Sequence, residues 1–422
     1  MITDRVSINP TALRGSIAAI PSKSDAHRLL IASALADRPT KLIMRGGSED
    51  ISATIGCLRA MGAHIEQRED CVVVNPVTVP EYTPLLDCGE SGSTLRFMLP
   101  VSAAVCKRAA FTGRGRLPQR PIGELCGAMS EGGVSFSADH LPFETNGKLR
   151  GGVYRLPGGI SSQYITGMLL ALPCTGEDSE IILTDTLRSA AYVDITLGVM
   201  ERFGVEVRRT DSGFFIPGGQ RYVSPGEVEV DGDWSNGAFI LCMGAIGGSV
   251  TVTGLHPDSP QGDRAIVELL RRMGANVSVD GSSVTVTPGK LTGCEIDIDA
   301  TPDLLPALAA VAAFAEGDTY FVNGARLRIK ESDRLTACAQ LLRDLGGAAE
   351  ETADSLIVHG TGLTGGGTHG HNDHRMVMAA AIAAVGCTEP VTIRGAEAVG
   401  KSYPGFFEDY RLLGGIISDN IE

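Results

Sequence analysis

A glycine recurs along this chain at nearly constant spacing, each time just after an amphipathic stretch of helical period. The six positions are Gly62, Gly132, Gly204, Gly274, Gly346 and Gly414. Successive members differ by 70, 72, 70, 72 and 68 residues. A glycine directly after a helix supplies a left-handed cap that other residues resist, and so regular a period indicates copies of one structural unit. We therefore predict six copies, with one helix ending at each glycine.

The copies share one order of predicted elements. A loop of small polar residues opens an apolar helix, and then come a strand, an amphipathic helix, the glycine and two alternating strands. In the fourth copy the apolar positions with helical spacing are Ile266, Leu269, Leu270 and Met273. Strands are predicted there at 277–279 and 284–286, around a turn at Asp280 and Gly281. This order is a βαβαββ unit.

The apolar helices open at related positions. The predicted openings are Ser22-Lys23-Ser24, Glu90-Ser91-Gly92, Ser161-Ser162-Gln163, Trp234-Ser235-Asn236, Pro302-Asp303 and Asn372-Asp373. The stretches behind them are apolar on all sides, which is typical of buried helices. Helix N-termini carry partial positive charge and unpaired N–H groups, so three of them facing one cleft would attract anions.

The sixth copy has only Ile416 and Ile417 to form a strand, whereas residues 11–15 resemble the stretch that precedes later copies. We therefore predict that residues 1–21 complete the last copy. Residues 1–21 plus 231–422 would then form one discontinuous domain with copies four to six. Residues 22–230 would form the other domain with copies one to three. The predicted class is α/β (α+β), with three repeats in each domain.

Composition limits the functional classes. The net charge of −14 disfavours nucleic acid and anionic membranes as general partners. Ten cysteines without a CxxC pair favour reduced thiols, and no stretch is typical of a targeting or membrane-spanning segment. We expect a cytoplasmic protein that acts on small molecules, and a monomer is the default because the sequence does not fix the oligomeric state.

Basic residues concentrate at the helix openings and nearby loops. They are Lys23, Arg28, Arg96, Arg120, Lys330, Arg334, Arg375 and Lys401. Any single one could lie on a solvated face, but the shared placement favours a site for phosphate and carboxylate groups. Asp303 and Glu331 lie among these cations, where they suit acid–base chemistry. The alternatives are that Asp303 is an N-cap and that Glu331 belongs to a structural ion pair.

Three motifs suggest other chemistry. Residues 395–402 match the phosphate-loop pattern GxxxxGK[ST], but Pro404 lies where its helix should form. Residues 369–374 match HxHxDH, yet no histidine follows His374 to complete a dinuclear metal centre. Residues 360–365 match GxGxxG without a following helix, which indicates a turn. We therefore expect no nucleotide, metal or organic cofactor.

Several blocks occur in one order along the chain. They are residues 21–28 (PSKSDAHR), 89–96 (GESGSTLR), 119–122 (QRPI), 161–163 (SSQ), 330–334 (KESDR), 372–375 (NDHR) and 400–402 (GKS). Together they resemble the 5-enolpyruvylshikimate-3-phosphate synthase family over essentially the whole chain. The resemblance implies a two-domain inside-out α/β barrel with six βαβαββ repeats and an active site in the interdomain cleft. It thus agrees with the repeat pattern.

The resemblance implies transfer of the enolpyruvyl group of phosphoenolpyruvate to the 5-hydroxyl of shikimate 3-phosphate, with release of phosphate. The residues implied for shikimate 3-phosphate are Lys23, Ser24, Arg28, Ser161, Ser162, Gln163, Ser189, Tyr192, Asp303, Arg326 and Lys330. Those implied for phosphoenolpyruvate are Lys23, Gly92, Arg120, Gln163, Arg334, Arg375 and Lys401. Gly92 would leave space for the small substrate.

The resemblance also implies catalytic roles. Asp303 would take the proton of the hydroxyl, and Glu331 would donate a proton to the methylene group, with Lys23 as the rival donor. A related UDP-N-acetylglucosamine enolpyruvyl transferase is an alternative, but its loop usually carries a reactive cysteine and residues 113–118 contain none. A catalytically silent anion-binding module is a second alternative, which the joint presence of the catalytic residues and Lys401 disfavours.

Three residues depart from the family pattern. Glu90 and Arg326 each stand where the family usually has asparagine, and Phe97 stands where proline is common. These departures concern contacts to the sugar-like ring and the affinity for phosphoenolpyruvate or its mimics. They leave the predicted cations, acid and base in place.

Overall fold

The chain forms two compact units in a computed structural model that describes residues 4–418. We call them unit A (residues 1–20 and 231–422) and unit B (residues 21–230). Each unit encloses its own apolar core, so each has its own hydrophobic driving force for folding. Within residues 4–418, no helix is both long enough and apolar enough to cross a bilayer.

The helices belong to two alternating sets. In chain order, the helices of the described residues are α1 (Lys23–Leu35), α2 (Glu49–Ala60), α3 (Gly92–Val105), α4 (Gly123–Glu131), α5 (Ser162–Ala171), α6 (Ala190–Arg202), α7 (Trp234–Ile246), α8 (Ile266–Arg272), α9 (Leu305–Ala312), α10 (Arg334–Asp344), α11 (His374–Gly386) and α12 (Phe406–Leu412). The odd-numbered helices are the predicted apolar ones and are buried along most of their length. In unit A, α7, α9 and α11 pack against one another, which is the inside-out arrangement.

Unit A contains three four-stranded sheets among its described residues. Its strands are β1 (Arg5–Asn9), β2 (Leu13–Ala18), β15 (Gly248–Thr253), β16 (Asn276–Asp280), β17 (Ser283–Thr287), β18 (Glu295–Asp297), β19 (Asp318–Val322), β20 (Ala348–Glu351), β21 (Leu356–His359), β22 (Gly366–His369), β23 (Val391–Arg394) and β24 (Ile416–Ser418). The sheet orders are β2-β15-β17-β16, β18-β19-β21-β20 and β22-β23-β1-β24. The turn between β16 and β17 is Gly281-Ser282, one residue later than predicted.

Unit B has the same organisation. Its strands are β3 (Thr40–Ile43), β4 (His64–Gln67), β5 (Cys71–Asn75), β6 (Leu85–Asp87), β7 (Arg108–Thr112), β8 (Ser135–Phe136), β9 (Phe143–Asn146), β10 (Gly152–Leu156), β11 (Ser179–Leu183), β12 (Arg208–Thr210), β13 (Gly213–Ile216) and β14 (Glu227–Glu229). The sheet orders are β14-β3-β5-β4, β6-β7-β9-β8 and β10-β11-β13-β12. Across residues 4–418 the prediction of six βαβαββ copies is therefore confirmed.

Both units close on themselves through strands that come from the ends of their segments. β14 pairs in parallel with β3, so the last strand of unit B completes its first sheet. β1 lies between β23 and β24 in the sixth sheet. β2, however, pairs in parallel with β15 in the fourth sheet, whereas we predicted that residues 1–21 would complete only the last copy. The strand that precedes α7 in the sequence is β14, and β14 belongs to the first sheet of unit B. In the fourth sheet its place is taken by β2.

Side chains cap most of the buried helices. Ser22, Ser91 and Ser161 cap α1, α3 and α5 as the predicted openings require. Asp233 caps α7 one residue before the predicted opening. The buried helix of the fifth copy, α9, differs. Pro302–Leu304 form a 3-10 turn, and α9 begins at Leu305 without a side-chain cap. The carboxylate of Asp303 is therefore not an N-cap.

The glycine register is confirmed at five of its six positions. Gly62, Gly204, Gly274, Gly346 and Gly414 all have positive φ, directly after the C-cap residue of a helix. The prediction is wrong at Gly132, which is itself the C-cap of α4 with φ −77°. Gly133, with φ +96°, takes the left-handed position instead. In the second copy the C-cap of α4 is a glycine, whereas the other five copies have an apolar residue there. The left-handed position therefore falls one residue later than predicted.

Two capping glycines, Gly274 and Gly414, have equivalent positions but different surroundings. Replacing each with alanine distinguishes the cost of backbone strain from the cost of crowding. A Cβ at Gly274 would meet the carbonyl oxygen of Lys290, whereas a Cβ at Gly414 would have no neighbouring heavy atom of residues 4–418 within 4 Å. We expect Gly414→Ala to lower the free energy of unfolding by about 1–2 kcal/mol, the cost of a left-handed alanine. Gly274→Ala should cost clearly more, because the Lys290 backbone must also move.

Urea unfolding followed by circular dichroism measures both changes. Gly56→Ala is the control, because Gly56 lies inside α2 with open space around it and should gain about 0.5–1 kcal/mol. Equal losses for Gly274→Ala and Gly414→Ala would contradict the role of crowding.

Candidate active site

Arg334 is the centre of a buried charge cluster in unit A. This first residue of α10 is only 1% exposed. Its guanidinium donates from Nη1 to Asp303 at 2.6 Å, from Nη2 to Glu331 at 2.9 Å and from Nε to Asp373 at 2.8 Å. Burial alone would lower the pKa of Arg334, but these three carboxylates raise it well above its usual value. The cluster therefore holds a permanent cation among three acids.

Asp303 lies among three cations. Besides Arg334, its carboxylate contacts Nη2 of Arg375 at 3.3 Å and Nζ of Lys330 at 3.5 Å. These positive charges stabilise its anionic form, which is the form that can accept a proton. The structure thus brings three of the predicted site residues together around the carboxylate of a fourth, Asp303.

Asp373 anchors the cluster to the start of α11. It is fully buried, caps α11, and accepts a hydrogen bond from the hydroxyl of Ser332 at 2.9 Å. Burial would raise the pKa of Asp373, but Arg334 and His374 outweigh that effect and hold it at about 2. Asp373 is therefore a structural anion that fixes Arg334.

Arg375 is held from several sides. Its Nη2 donates to Oγ of Ser235 at 2.8 Å, and its guanidinium carbon lies 5.6 Å from the ring centre of Phe239. Ser235 in turn hydrogen-bonds the buried carboxylate of Asp263. Burial and then the nearby charge of Asp303 raise the pKa of Asp263 to about 6. Asp263 was not predicted as a site residue, because it lies outside the helix openings and comes close to Arg375 only in the folded chain.

Lys401 and Arg326 are fixed at the edges of the same unit. Nζ of Lys401 donates to the backbone carbonyl of Asn372 at 2.7 Å. That carbonyl is presented by a left-handed backbone, because His371 and Asn372 have φ of 52° and 53°. Nη2 of Arg326 pairs with Asp299 at 2.9 Å, and this ion pair accommodates the arginine side chain.

Unit B carries a second set of predicted residues, starting with Lys23. This first residue of α1 pairs through Nζ with Asp50 at 2.9 Å, and both side chains are largely buried. The sequence analysis did not single out Asp50, which lies in the first turn of α2. Asp50 fixes the ammonium group at the opening of α1 by an ion pair.

Arg28 is bonded to neutral groups. Its donors reach Oγ1 of Thr196 at 2.7 Å, Oγ1 of Thr166 at 3.3 Å and the carbonyl of Tyr192 at 2.9 Å. A further bond goes to the carbonyl of Ser24 at 2.5 Å. Burial lowers the pKa of Arg28 to about 10, so it remains a cation at neutral pH. It joins two predicted shikimate 3-phosphate residues through their backbones.

Gln163 connects α5 with α3. Its Oε1 accepts from Nη1 of Arg96 at 2.6 Å, and its Nε2 donates to Oγ of Ser93 at 2.8 Å. Arg96 also donates to the carbonyl of Pro121 at 3.0 Å, beside Arg120. These bonds fix the amide at the opening of α5.

Gly92 makes room for an arginine of the same unit. A Cβ at this first residue of α3 would lie 2.6 Å from Nη1 and 2.8 Å from Cζ of Arg120. We expected the missing side chain to leave space for substrate. In the structure the missing side chain lets Arg120 lie against the start of α3.

Serines mark the remaining openings in unit B. Ser161 caps α5 by accepting from the backbone N–H of Gln163 at 3.3 Å, and Ser162 begins that helix. Ser189 precedes α6 with a left-handed backbone, φ 53° and ψ 46°, and its carbonyl accepts from the N–H of Tyr192. A left-handed serine is uncommon, and such conformations concentrate at functional sites.

Two departures from the family pattern have local explanations. Phe97 is buried and lies 5.0 Å from the guanidinium carbon of Arg28, ring centre to carbon, which is a cation–π distance. The carboxylate of Glu90 lies over Gly115, because a Cβ at Gly115 would be 2.5 Å from Oε2. Gly115 has φ +60°, which glycine adopts without strain.

The three suggestive motifs form other structures. Residues 396–401 make a 3-10 turn, and α12 begins only after Pro404. The GxGxxG stretch leads into β22 rather than a helix, as predicted. Among residues 4–418, no group of three or more histidine, cysteine, aspartate or glutamate side chains is arranged to hold a metal ion.

Removing the Asp373 charge should destabilise the protein in a pH-dependent way. We expect Asp373→Asn to lower the free energy of unfolding at pH 7 by about 3–5 kcal/mol, because it removes the fully buried anion that pairs with Nε of buried Arg334. The folded pKa of about 2 lies below the ordinary 3.8. The stabilisation is therefore present above about pH 4 and lost as the pH falls through about 2.

Urea unfolding of wild type and variant at several pH values tests this expectation. The control is Asp318→Asn, because Asp318 belongs to a half-exposed pair with His359 and should cost about 0–1 kcal/mol. A difference between wild type and Asp373→Asn that stays constant down to about pH 3 would contradict the assignment.

Known proteins are similar to this chain in sequence and in fold. A model of the EPSP synthase (3-phosphoshikimate 1-carboxyvinyltransferase) family matches residues 8–410. The 3-phosphoshikimate 1-carboxyvinyltransferase of Clostridium kluyveri is 42% identical over 418 residues, which cover 98% of each chain. One from Clostridium perfringens is 39% identical over 419 residues, covering 98% of this chain and 99% of that one. The EPSP synthase structure from Acinetobacter baumannii matches with a TM-score of 0.82 and 26% identity, covering 98% of this chain and 100% of that chain. The chain therefore belongs to the EPSP synthase family.

Proposed function

We propose that this enzyme transfers the enolpyruvyl group of phosphoenolpyruvate to the 5-hydroxyl of shikimate 3-phosphate and releases phosphate. Family membership supports the reaction, which belongs to the shikimate pathway of aromatic biosynthesis. The observation that carries the residue assignments is the cluster around Arg334, where Asp303 lies within 3.5 Å of three cations. That arrangement suits proton transfer next to anionic substrates.

We assign phosphoenolpyruvate to cationic and amide groups at the helix openings. In unit A these are Arg334, Arg375 and Lys401, all at most 7% exposed. In unit B they are Lys23, Gly92, Arg120 and Gln163. Fork-shaped guanidinium donors match the carboxylate and phosphate oxygens of this substrate. The donors that Arg334 now shares with Asp303 and Glu331 would turn to the substrate on binding.

Shikimate 3-phosphate is assigned to a more neutral set. In unit B its ligands are Lys23, Ser24, Ser161, Ser162, Gln163, Ser189 and Tyr192, whose hydroxyls and amide suit the ring and phosphate oxygens. Arg28 holds Ser24 and Tyr192 and supplies positive charge. Unit A contributes Lys330, Arg326 and the carboxylate of Asp303, which accepts from the attacking hydroxyl.

The first step adds one proton and forms one carbon–oxygen bond. Glu331 donates a proton to the methylene carbon of phosphoenolpyruvate, with Lys23 as the alternative donor. The 5-hydroxyl oxygen attacks the neighbouring carbon as its own proton passes to Asp303. A tetrahedral adduct results, which now bears a methyl group. Arg334 and Arg375 stabilise the negative charge around it.

The second step reverses the first proton transfer. The methyl group returns one proton, the new double bond forms, and the bond to the phosphate oxygen breaks. Lys401 and the arginines stabilise the departing phosphate. The proton that Asp303 took from the hydroxyl passes to the departing phosphate, and Glu331 takes back the proton of the methyl group, so the proton donor and acceptor are both regenerated.

Two further assignments are proposals of the same kind. We propose that the enzyme works in the cytoplasm, which suits its ten free cysteine thiols. We also propose that it acts as a monomer, because all residues assigned here come from one chain.

Phosphate release with defined substrates tests the reaction. We expect release from phosphoenolpyruvate with shikimate 3-phosphate but not with the UDP-N-acetylglucosamine acceptor, because the chain belongs to the EPSP synthase family and residues 113–118 lack the cysteine expected in the UDP-sugar enzyme. Activity should persist in EDTA. Release only with the UDP-sugar, or complete loss in chelator, would refute the proposal.

Conservative changes of the acid and base test their roles. We expect Asp303→Asn and Glu331→Gln each to lower kcat by at least about 100-fold, the usual contribution of a positioned acid or base. Asp354→Asn, on an exposed loop of unit A, is the matched control and should retain wild-type turnover. Near-normal kcat in both site variants would rule out the assigned roles.

A further inference from the structure

The first turn of α7 contacts Arg375, which the proposed function assigns to phosphoenolpyruvate, and Ser402, the neighbour of a second such residue. Ser235 accepts from Nη2 of Arg375 at 2.8 Å. The next residue, Asn236, accepts through Oδ1 from the hydroxyl of Ser402 at 3.2 Å, and Ser402 directly follows Lys401. Two adjacent side chains of one helix thus contact the two segments that present the cations.

This first turn is itself rigidly held. The carboxylate of Asp233 accepts from the backbone N–H of Asn236 at 2.7 Å, and Gln261 accepts from the N–H of Trp234 at 3.1 Å. Asn236 is 1% exposed and Ser402 3% exposed, so neither is free to exchange its partner for water. An anchored helix start is a suitable reference point for side chains that must keep a fixed geometry.

The hydroxyl of Ser235 interacts with two charged groups. Its oxygen accepts from Nη2 of Arg375 at 2.8 Å, and the hydroxyl also interacts with the buried carboxylate of Asp263. The same Nη2 of Arg375 lies 3.3 Å from the carboxylate of Asp303, and Nη1 contacts the backbone carbonyl of Asp303 at 3.4 Å. Ser235 is therefore one of the groups that hold this guanidinium in place.

We propose that Ser235 and Asn236 are positioning residues, Ser235 for Arg375 directly and Asn236 for Lys401 through Ser402. The proposal rests on the assignment of both cations to phosphoenolpyruvate in the proposed function. It predicts that changes at Ser235 and Asn236 weaken the use of phosphoenolpyruvate selectively, since neither residue is assigned to shikimate 3-phosphate.

Steady-state kinetics with both substrates tests the direct contact. We expect Ser235→Ala to raise the KM for phosphoenolpyruvate about 10-fold or more, because a hydrogen bond to a charged group is lost. The KM for shikimate 3-phosphate should change by less than about 2-fold. Ser278→Ala, on the exposed face of β16, is the matched control and should change neither constant.

A double-mutant cycle identifies the route of the effect. If Ser235 acts through Arg375, Ser235→Ala should add almost nothing to Arg375→Lys, because lysine lacks the guanidinium fork. Likewise, Asn236→Ala should raise the KM for phosphoenolpyruvate about 5-fold and add almost nothing to Ser402→Ala. Ser235→Thr, which keeps the hydroxyl, should restore most of the wild-type KM.

The outcomes separate this inference from the proposed function. An inactive wild type with phosphoenolpyruvate and shikimate 3-phosphate would overturn the function itself. An active wild type whose Ser235→Ala variant behaves like Ser278→Ala would overturn only the positioning role. The positioning role would also be overturned if, in both cycles, the two substitutions multiplied their effects on the KM for phosphoenolpyruvate. Equal changes in the KM values of both substrates would overturn it too.

Discussion

The buried guanidinium of Arg334 is the interaction on which unit A depends. A cation at 1% exposure is unfavourable unless it is paired, and three acids pair with it. These acids come from three separate segments: Asp303 precedes α9, Glu331 precedes α10 and Asp373 caps α11. One desolvated charge therefore holds three helix openings in register. The same contacts that stabilise the unit also place the proposed acid and base.

The buried arginines of the two units have different kinds of partner. In unit B, Arg28 is bonded to threonine hydroxyls and backbone carbonyls, so its positive charge is not cancelled by those partners. In unit A, Arg334 is surrounded by carboxylates. A cation with neutral partners suits the binding of an anionic substrate, whereas a cation among acids suits proton transfer. The repeat thus supplies equivalent helix openings, and the residues at each opening decide its chemistry.

Much of the architecture could be read from local patterns. The period of the capping glycines predicted six copies because a left-handed position after a helix is a local requirement. The predicted left-handed cap was wrong at Gly132. Two consecutive glycines follow α4, and the second one, Gly133, takes the left-handed position. The glycine period also could not show that β2 joins the fourth sheet, because the pairing of β2 with β15 joins residues more than 200 positions apart.

The repeated units, the buried helices, the residue types at their openings and the resemblance to a known family could all be predicted from the sequence alone. Which partner each charge has depends on the tertiary structure. Ser235 and Arg375 are 140 residues apart, and Asp263 interacts with both of them. Periodicity and caps are fixed by neighbours along the chain, whereas charge pairing in a buried site depends on distances that exist only after the helices have packed.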